Sequence, residues 1–256
     1  MIFLKSEEAI ALIKEGADIL SKVHGIIAHE IKPGITTQKL DALAEEFIRD
    51  SGGMPSFKDY KNFPATLCTS VNEYVVHGIP SDYALQEGDI VSVDCGVYYK
   101  GFHSDAAFTY PVGMINSEVM RLLQVTKEAL YCGISEAKAG NRIGDIGHAI
   151  QHHAQSHSYS VVRELVGHGV GKALHEDPQV PNYGKKGCGI QLKQGMVLAI
   201  EPMINLGKRQ IVSEKKGQFR TLDKKAAAHF EHTVVVLKKQ AEILTTYRYI
   251  EEVFKF

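Results

Sequence analysis

A chain of 256 residues with 44% hydrophobic content carries enough apolar mass for one large core or two small ones, and its net charge of −1 supplies no global field for nucleic acid or an acidic surface. The cysteines Cys68, Cys95, Cys132 and Cys188 are scattered without a CxxC pair, which fits free thiols in a reducing compartment better than a disulfide framework. No apolar run reaches the roughly 18 residues of a membrane span, and MIFLKSEEAI lacks the basic-then-apolar pattern of a signal peptide, so a cytoplasmic protein is expected.

Ser6 reads as an N-cap, with Glu7 and Glu8 placed well in a first helical turn. Ile10, Ile13, Ala17, Leu20, Val23 and Ile27 follow at helical spacing, and Pro33-Gly34 stops the run. A second helix starts near Thr36-Thr37, carries Leu40, Leu43, Phe47 and Ile48, and ends at Gly52-Gly53. The stretch from Pro55 to Pro80 interleaves aromatics with turn residues and then becomes strand-like up to His77. VSVDCGVYYKGFHSDAAFTYPV, from Val91 to Val112, reads as a β-hairpin joined by Tyr99-Lys100-Gly101, with Gly101 at the positive-φ position. If Tyr98 pairs with Gly101, Asp94 stands directly opposite Asp105, about 5 Å away by its Cβ, and like charges so placed need a neutraliser. A shared proton or a divalent cation would serve, while a solvated hairpin with two surface aspartates is the competing reading. A third helix runs from Ser117-Glu118 to about Ala139 and a fourth from about Ile143 to His157, with His152, His153 and His157 read as solvated surface.

The pattern recurs. Lys32-Pro33-Gly34 with Leu40 and Leu43 matches Lys138-Ala139-Gly140 with Ile146 and Ala149, 106 residues on. Leu85, Gly88 and Asp94 match Leu192, Gly195 and Glu201, 107 residues on, and His77-Gly78 and His168-Gly169 each follow a strand-like run. A repeat of that length is no solenoid unit. It points to two helix-helix-strand halves, about 1–113 and 114–256, related by a pseudo-two-fold and meeting at one site.

Asp94, Asp105, His168, Glu201 and Glu231 are the candidate ligands. Glycines flank His168 and let backbone approach closely, Glu201-Pro202 interrupts the apolar run MVLAI, and Glu231 heads the strand EHTVVV. Four carboxylates and one imidazole form a hard, oxygen-rich set with room for two divalent ions; structural calcium competes, and the histidine argues against it.

The runs CTSVNEYVVHGIP, VDCGVYYKGFHSDAAFTYPVG, GHGVGKALHEDPQVPNYG, AIEPM and FEHTVVV resemble the type I methionine aminopeptidases over nearly the whole chain. The resemblance implies the α+β "pita-bread" fold, two pseudo-two-fold related halves with helices packed on a curved antiparallel sheet, as one domain over 1–256. It implies two divalent metal ions per chain, of Fe²⁺, Mn²⁺, Co²⁺ or Zn²⁺. Asp94 would chelate one, Asp105 and Glu231 bridge both, and His168 and Glu201 complete the other shell. Metal-hydroxide attack would then release the N-terminal methionine of nascent proteins and peptides whose second residue is small. His175 would hydrogen-bond the scissile carbonyl, His77 would position the substrate backbone, and Glu201 would shuttle a proton. Phe57, Tyr60, Phe63, Cys68, Leu174 and Phe219 fall at the methionine pocket's wall, although Phe57 and Phe219 read equally as core.

Three positions depart from the family pattern. Asp59-Tyr60-Lys61-Asn62-Phe63-Pro64 stands where Gly-Tyr-x-Gly-Phe-Pro is common, Leu174 where an aromatic is common, and His229 where Gln is frequent. Dipeptidases and proline-specific aminopeptidases share the fold but usually carry a large N-terminal domain, and binding-only relatives lack the ligands. A monomer without membrane contact is expected. Between Lys208 and Lys225, seven basic residues face only Glu214 and Asp223; the stretch reads as an ordinary solvated loop or, because the resemblance implies a nascent-chain substrate, as a transient contact with ribosomal RNA phosphate.

Overall fold

Helix α1 (Glu7–Glu30) begins where the sequence puts its cap: the Ala9 N–H donates to Ser6 Oγ at 3.3 Å. Its stripe Ile13, Ala17, Leu20, Val23 and Ile27 is buried. Thr36 caps α2 (Thr37–Asp50) in the same way through the Lys39 N–H. Helices α3 (Ser117–Glu136) and α4 (Ile143–Ser156) follow; α3 stops short of Ala139 because Ala137 leaves helical geometry ahead of Gly140. A short α5 (Arg248–Glu251) comes last. The computed structural model describes residues 2–214 and 217–255.

The strands that precede α3 are β1 (Met54–Pro55), β2 (Leu67–Val71), β3 (Tyr74–Val76), β4 (Ile90–Tyr99) and β5 (Phe102–Pro111). After α4 come β6 (Ser160–Val161), β7 (Gly167–Gly169), β8 (Glu176–Val180), β9 (Val197–Ile200) and β10 (Met203–Asn205). The last are β11 (Ile211–Ser213), β12 (Phe219–Thr221), β13 (Ala227–His229), β14 (Glu231–Val236) and β15 (Ala241–Ile243). Nine of them form one antiparallel sheet in the order β1-β4-β5-β14-β9-β7-β8, with β2 on β4 and β15 on β14. Helices cover it through a core that includes Leu20, Val23, Ile27, Leu122, Leu130, Phe108, Tyr110 and Phe230. The result is an α+β fold.

The sequence repeat reappears as matched hydrogen bonds. The Gly34 N–H donates to the Leu85 carbonyl at 2.7 Å, and the Gly140 N–H to the Leu192 carbonyl at 3.0 Å. Leu85 returns a bond to Ile35, as Leu192 does to Asn141. The Gly88 N–H reaches the Val112 carbonyl and the Gly195 N–H the Val236 carbonyl. All four glycines have φ between +88° and +99°, the left-handed region that a Cβ disfavours. Outward from the β5–β14 junction the sheet order is therefore repeated, β4 matching β9.

The hairpin register differs from the expectation. Tyr99 pairs with Phe102, so the turn is the two residues Lys100 (φ 46°) and Gly101 (φ 90°). Two positive φ values in a row are the signature of a type I′ turn. Asp94 consequently pairs with Ala107, and Asp105 with Gly96. The two aspartates are diagonal rather than directly opposed. The displacement is by two residues, which preserves the face, so both carboxylates still point the same way.

Candidate metal centre

Each candidate ligand is fixed through its backbone before its side chain does anything. The Asp105 N–H donates to Thr233 Oγ1, whose hydroxyl donates to the Asp105 carbonyl, tying β5 to β14. Tyr247 spans the same junction: its hydroxyl contacts the carbonyls of Ala107 and Glu231 at 2.8 Å and accepts from the Glu231 N–H at 3.0 Å. Asn182 Nδ2 donates to the Glu201 carbonyl just past β9. His168 sits in the middle of β7, and its Nδ1–H donates to the Gly169 carbonyl at 2.8 Å. That bond leaves Nε2 bare and aimed among the acids. The flanking glycines are steric necessities: a Cβ on Gly167 would lie 2.4 Å from the Ala199 carbonyl, and one on Gly169 2.3 Å from that of Asp177.

His168 Nε2 stands 3.8 Å from Asp105 Oδ2 and 3.6 Å from Glu201 Oε1. Ligand atoms of Asp105, His168 and Glu231 lie within 4.8 Å of one another. These separations are too long for hydrogen bonds but close to those around an ion with bonds of about 2.1 Å. Asp94 Oδ1, Asp105 Oδ1 and Glu231 Oε1 are buried with no hydrogen-bond partner. Burial pushes the Asp94 carboxyl up to about 7, with Glu201 adding to it, and burial likewise raises Glu201 to about 7. Burial first, then Asp94 and Glu201, drives Asp105 well above the carboxylate range, and burial first, then Asp105, Glu201 and Asp94, does the same to Glu231. Buried, unpartnered and mutually repelling carboxylates fit a divalent cation.

A cavity of about 810 Å³ opens over this floor and is lined by every site residue expected from sequence. Its wall is a hydrophobic cluster separate from the main core: Phe57, Cys68 and Leu174, with Tyr60 and Phe63 packed against it. Cys68 pairs with Asp94 across the β2–β4 ladder, which brings the apolar wall directly to the metal floor. Burial first, then the neighbouring Asp94, pushes the Cys68 thiol well up, so it stays a neutral apolar surface. Phe57 is thus wall rather than core. Phe219 packs instead with Val75, Val76 and Met203 and meets the His77 ring edge-on at 5.9 Å.

The two accessory histidines both line the cavity. His175 Nδ1 is 2.9 Å from Tyr60 Oη, its ring stacks on Tyr60, and it lies 4.2 Å from the His168 ring. Although its edge is open to the cavity, crowding removes bulk water, and desolvation followed by His168 lowers its pKa to about 3. His77 adopts φ 59° and donates to the Gly217 carbonyl at 3.3 Å; desolvation depresses it too.

The departures from the family pattern also resolve. Asp59 and Asn62 take φ of 67° and 65°, the glycine-like geometry that Asp and Asn tolerate best, so the loop keeps its turn. His229 is buried with Nε2 3.5 Å from Glu201 Oε2 and no hydrogen bond on that atom. Sequence reasoning did not single out Thr233, Tyr247 or Asn182. Thr233 carried a faint signal as a polar residue inside EHTVVV; the other two carried none.

Residues 11–238 match the model of metallopeptidase family M24. The chain is 48% identical over 246 residues to a methionine aminopeptidase of Clostridium perfringens, covering 96% of this chain and 99% of that one. It is equally 48% identical to methionine aminopeptidase 1 of Bacillus subtilis, with the same coverage. The crystal structure of methionine aminopeptidase from Rickettsia prowazekii superposes with a TM-score of 0.95 at 40% identity, over 96% of this chain and all of that one.

Proposed function

The chain belongs to metallopeptidase family M24 and, within it, to the methionine aminopeptidases, and from that premise we propose how its cavity works. It removes the N-terminal methionine of peptides and nascent proteins whose second residue is small. One observation supports this above the rest: a floor of buried acids and a soft apolar wall meet in a single cavity at the Cys68–Asp94 pair.

Asp94, Asp105, His168, Glu201 and Glu231 would hold two divalent ions, drawn from Fe²⁺, Mn²⁺, Co²⁺ or Zn²⁺, with Asp105 and Glu231 bridging, Asp94 chelating one and His168 and Glu201 completing the other. Ions bound there supply Lewis acidity, acidifying water and polarising the scissile carbonyl. The protein does the rest. Neutral His175, its Nδ1 accepting from Tyr60, offers Nε2–H to the carbonyl oxygen as negative charge develops. His77 positions the substrate backbone, and Glu201 carries a proton from water to the departing amine. Phe57, Tyr60, Phe63, Cys68, Leu174 and Phe219 enclose the methionine side chain. Incubation of the metal-loaded protein with Met-Ala-Ser, Met-Lys and Xaa-Pro peptides tests the proposal. Selective loss of Met from Met-Ala-Ser is expected; dominant Xaa-Pro cleavage, or equal cleavage of Met-Lys, overturns it.

The same proposal covers the finer points of setting: a monomeric single domain over 1–256 with halves 1–113 and 114–256, working in the cytoplasm. No helix among the described residues is long and apolar enough to cross a membrane. It also includes transient ribosome contact through Lys208 to Lys225. Lys215 and Lys216 lie outside the described residues. Strands β11 and β12 pair antiparallel, and Gly217 and Phe219 line the cavity. Arg220 is paired with Glu214, which reduces the charge free for phosphate. Co-sedimentation with ribosomes at low salt, lost on charge reversal of Lys215 and Lys216, is the expected result.

A further inference from the structure

We propose that Glu128, His153 and His157 form a second, peripheral site for a first-row transition-metal ion, on the face where α3 and α4 pack. Ligand atoms of the three residues lie within 4.8 Å of one another, and none of the three lines the central cavity. His153 lies in the last turn of α4 and His157 is its C-cap, so the two imidazoles share one helix face at i and i+4, ring centroids 4.7 Å apart. Glu128 comes from α3, and its Oε2 is 2.9 Å from His153 Nε2.

Three features make this more than a surface ion pair. His157 Nδ1–H donates to the His153 carbonyl at 2.9 Å, which fixes the tautomer and leaves Nε2 with a free lone pair. The second feature is placement: the ion would lie at the C-terminus of α4, where the helix dipole favours positive charge. The third is rigidity. A Cβ on Gly133 would lie 2.7 Å from Ile150 Cγ1, so α3 and α4 are in close contact and hold the two sides of the site in register. A tetrahedral ion with bonds near 2.1 Å separates its ligands by about 3.4 Å, so the Glu128–His153 pair need open by only roughly 0.5 Å. The Glu128 side chain is 47% exposed and free to make that movement; its other contact, Arg121 Nη1 at 3.9 Å, is too long to hold it. Two imidazoles and one carboxylate favour Zn²⁺, Ni²⁺, Co²⁺ or Cu²⁺ over Ca²⁺ and Mg²⁺, with water completing the shell.

The test uses protein whose central site is already saturated with metal. Zinc uptake is measured by equilibrium dialysis for wild type, for His153→Ala/His157→Ala and for Glu128→Gln. Wild type is expected to take up one more Zn²⁺ per chain than the double variant, with Glu128→Gln weakening that extra equivalent and all three cleaving Met-Ala-Ser alike. Added Ni²⁺ should broaden the imidazole resonances of His153 and His157 while those of His148 and His152 stay sharp. Equal zinc uptake by wild type and the double variant, or equal broadening at all four histidines, would overturn the assignment.

Discussion

Between β4 and β5 the chain turns in two residues, Lys100 and Gly101, whereas between β9 and β14, their counterparts across the sheet, it travels from Glu201 to Phe230 and builds β10 to β13 on the way. The frame around the two segments is the same, down to the glycine hydrogen bonds 106 and 107 residues apart. What the frame shares and what the excursion adds are different things. Asp94 and Glu201 occupy matching positions in the repeat and both reach the metal floor. Gly217, Phe219 and His229 belong to the excursion and shape the rim and the layer behind Glu201. Symmetry therefore builds the chemistry, and the departure from symmetry builds the fit.

The separation can be broken at several points. Asp105→Asn, in the tight hairpin, removes a charge from the centre of the floor and should abolish hydrolysis; near-normal turnover with full metal content would show that Asp105 does not bridge. His175→Ala should lower kcat by on the order of a hundredfold with little change in KM, because its donor matters as charge develops. A change confined to KM would make it a binding residue only.

The halves should also differ in acid. His24 of α1 is buried, bonded to Tyr110 Oη and the Ala106 carbonyl, while Leu130 holds the position 106 residues on in α3. Burial pulls His24 down to about 4 from an ordinary 6.5, so the unfolded chain takes up this proton first as pH falls. Its stability contribution is full above pH 6.5 and is lost between 6.5 and 4, on the order of 3 kcal/mol. Urea midpoints across that range should fall less steeply for His24→Leu than for wild type; identical slopes would remove His24 from the account. On the excursion, Phe219→Ala should raise KM for Met-Ala-Ser roughly tenfold and spare kcat. The smallest effect tests the frame itself. Gly34→Ala and Gly140→Ala, both in open space at φ of 94° and 99°, should each cost about 1 kcal/mol, and unequal losses by denaturant titration would argue against equivalent halves.

Much of this was legible in the sequence because the relevant signals are local. Ser6, Thr36 and the Gly34/Gly140 pair announce helix starts and turns within a few residues. The four acids and His168 stand out because charge inside an apolar run needs a reason. The hairpin register is not legible there: nothing about Lys100 signals a positive φ, so the sequence marks only Gly101 for that geometry within Tyr99-Lys100-Gly101. Tyr247 was invisible because its role depends on contacts 16 and 140 residues away. The same holds for His153 and His157, read as solvated until Glu128 arrives from another helix.

The Tyr247 hydroxyl, bound to both β5 and β14, has a consequence for biosynthesis. Ribosomes deliver this chain from its first helix onward, so β5 emerges with Asp105 long before Glu231, Thr233 or Tyr247 exist to close the junction. Until then β5 is an exposed sheet edge, with its Asp105 carboxylate beside that of Asp94 on β4, the kind of surface that invites wrong pairings. The partner strand and the tyrosine that seals it arrive late and in that order. The centre is thus assembled only after Tyr247 has been made, and a chain that stops short of it has no means of cutting peptides.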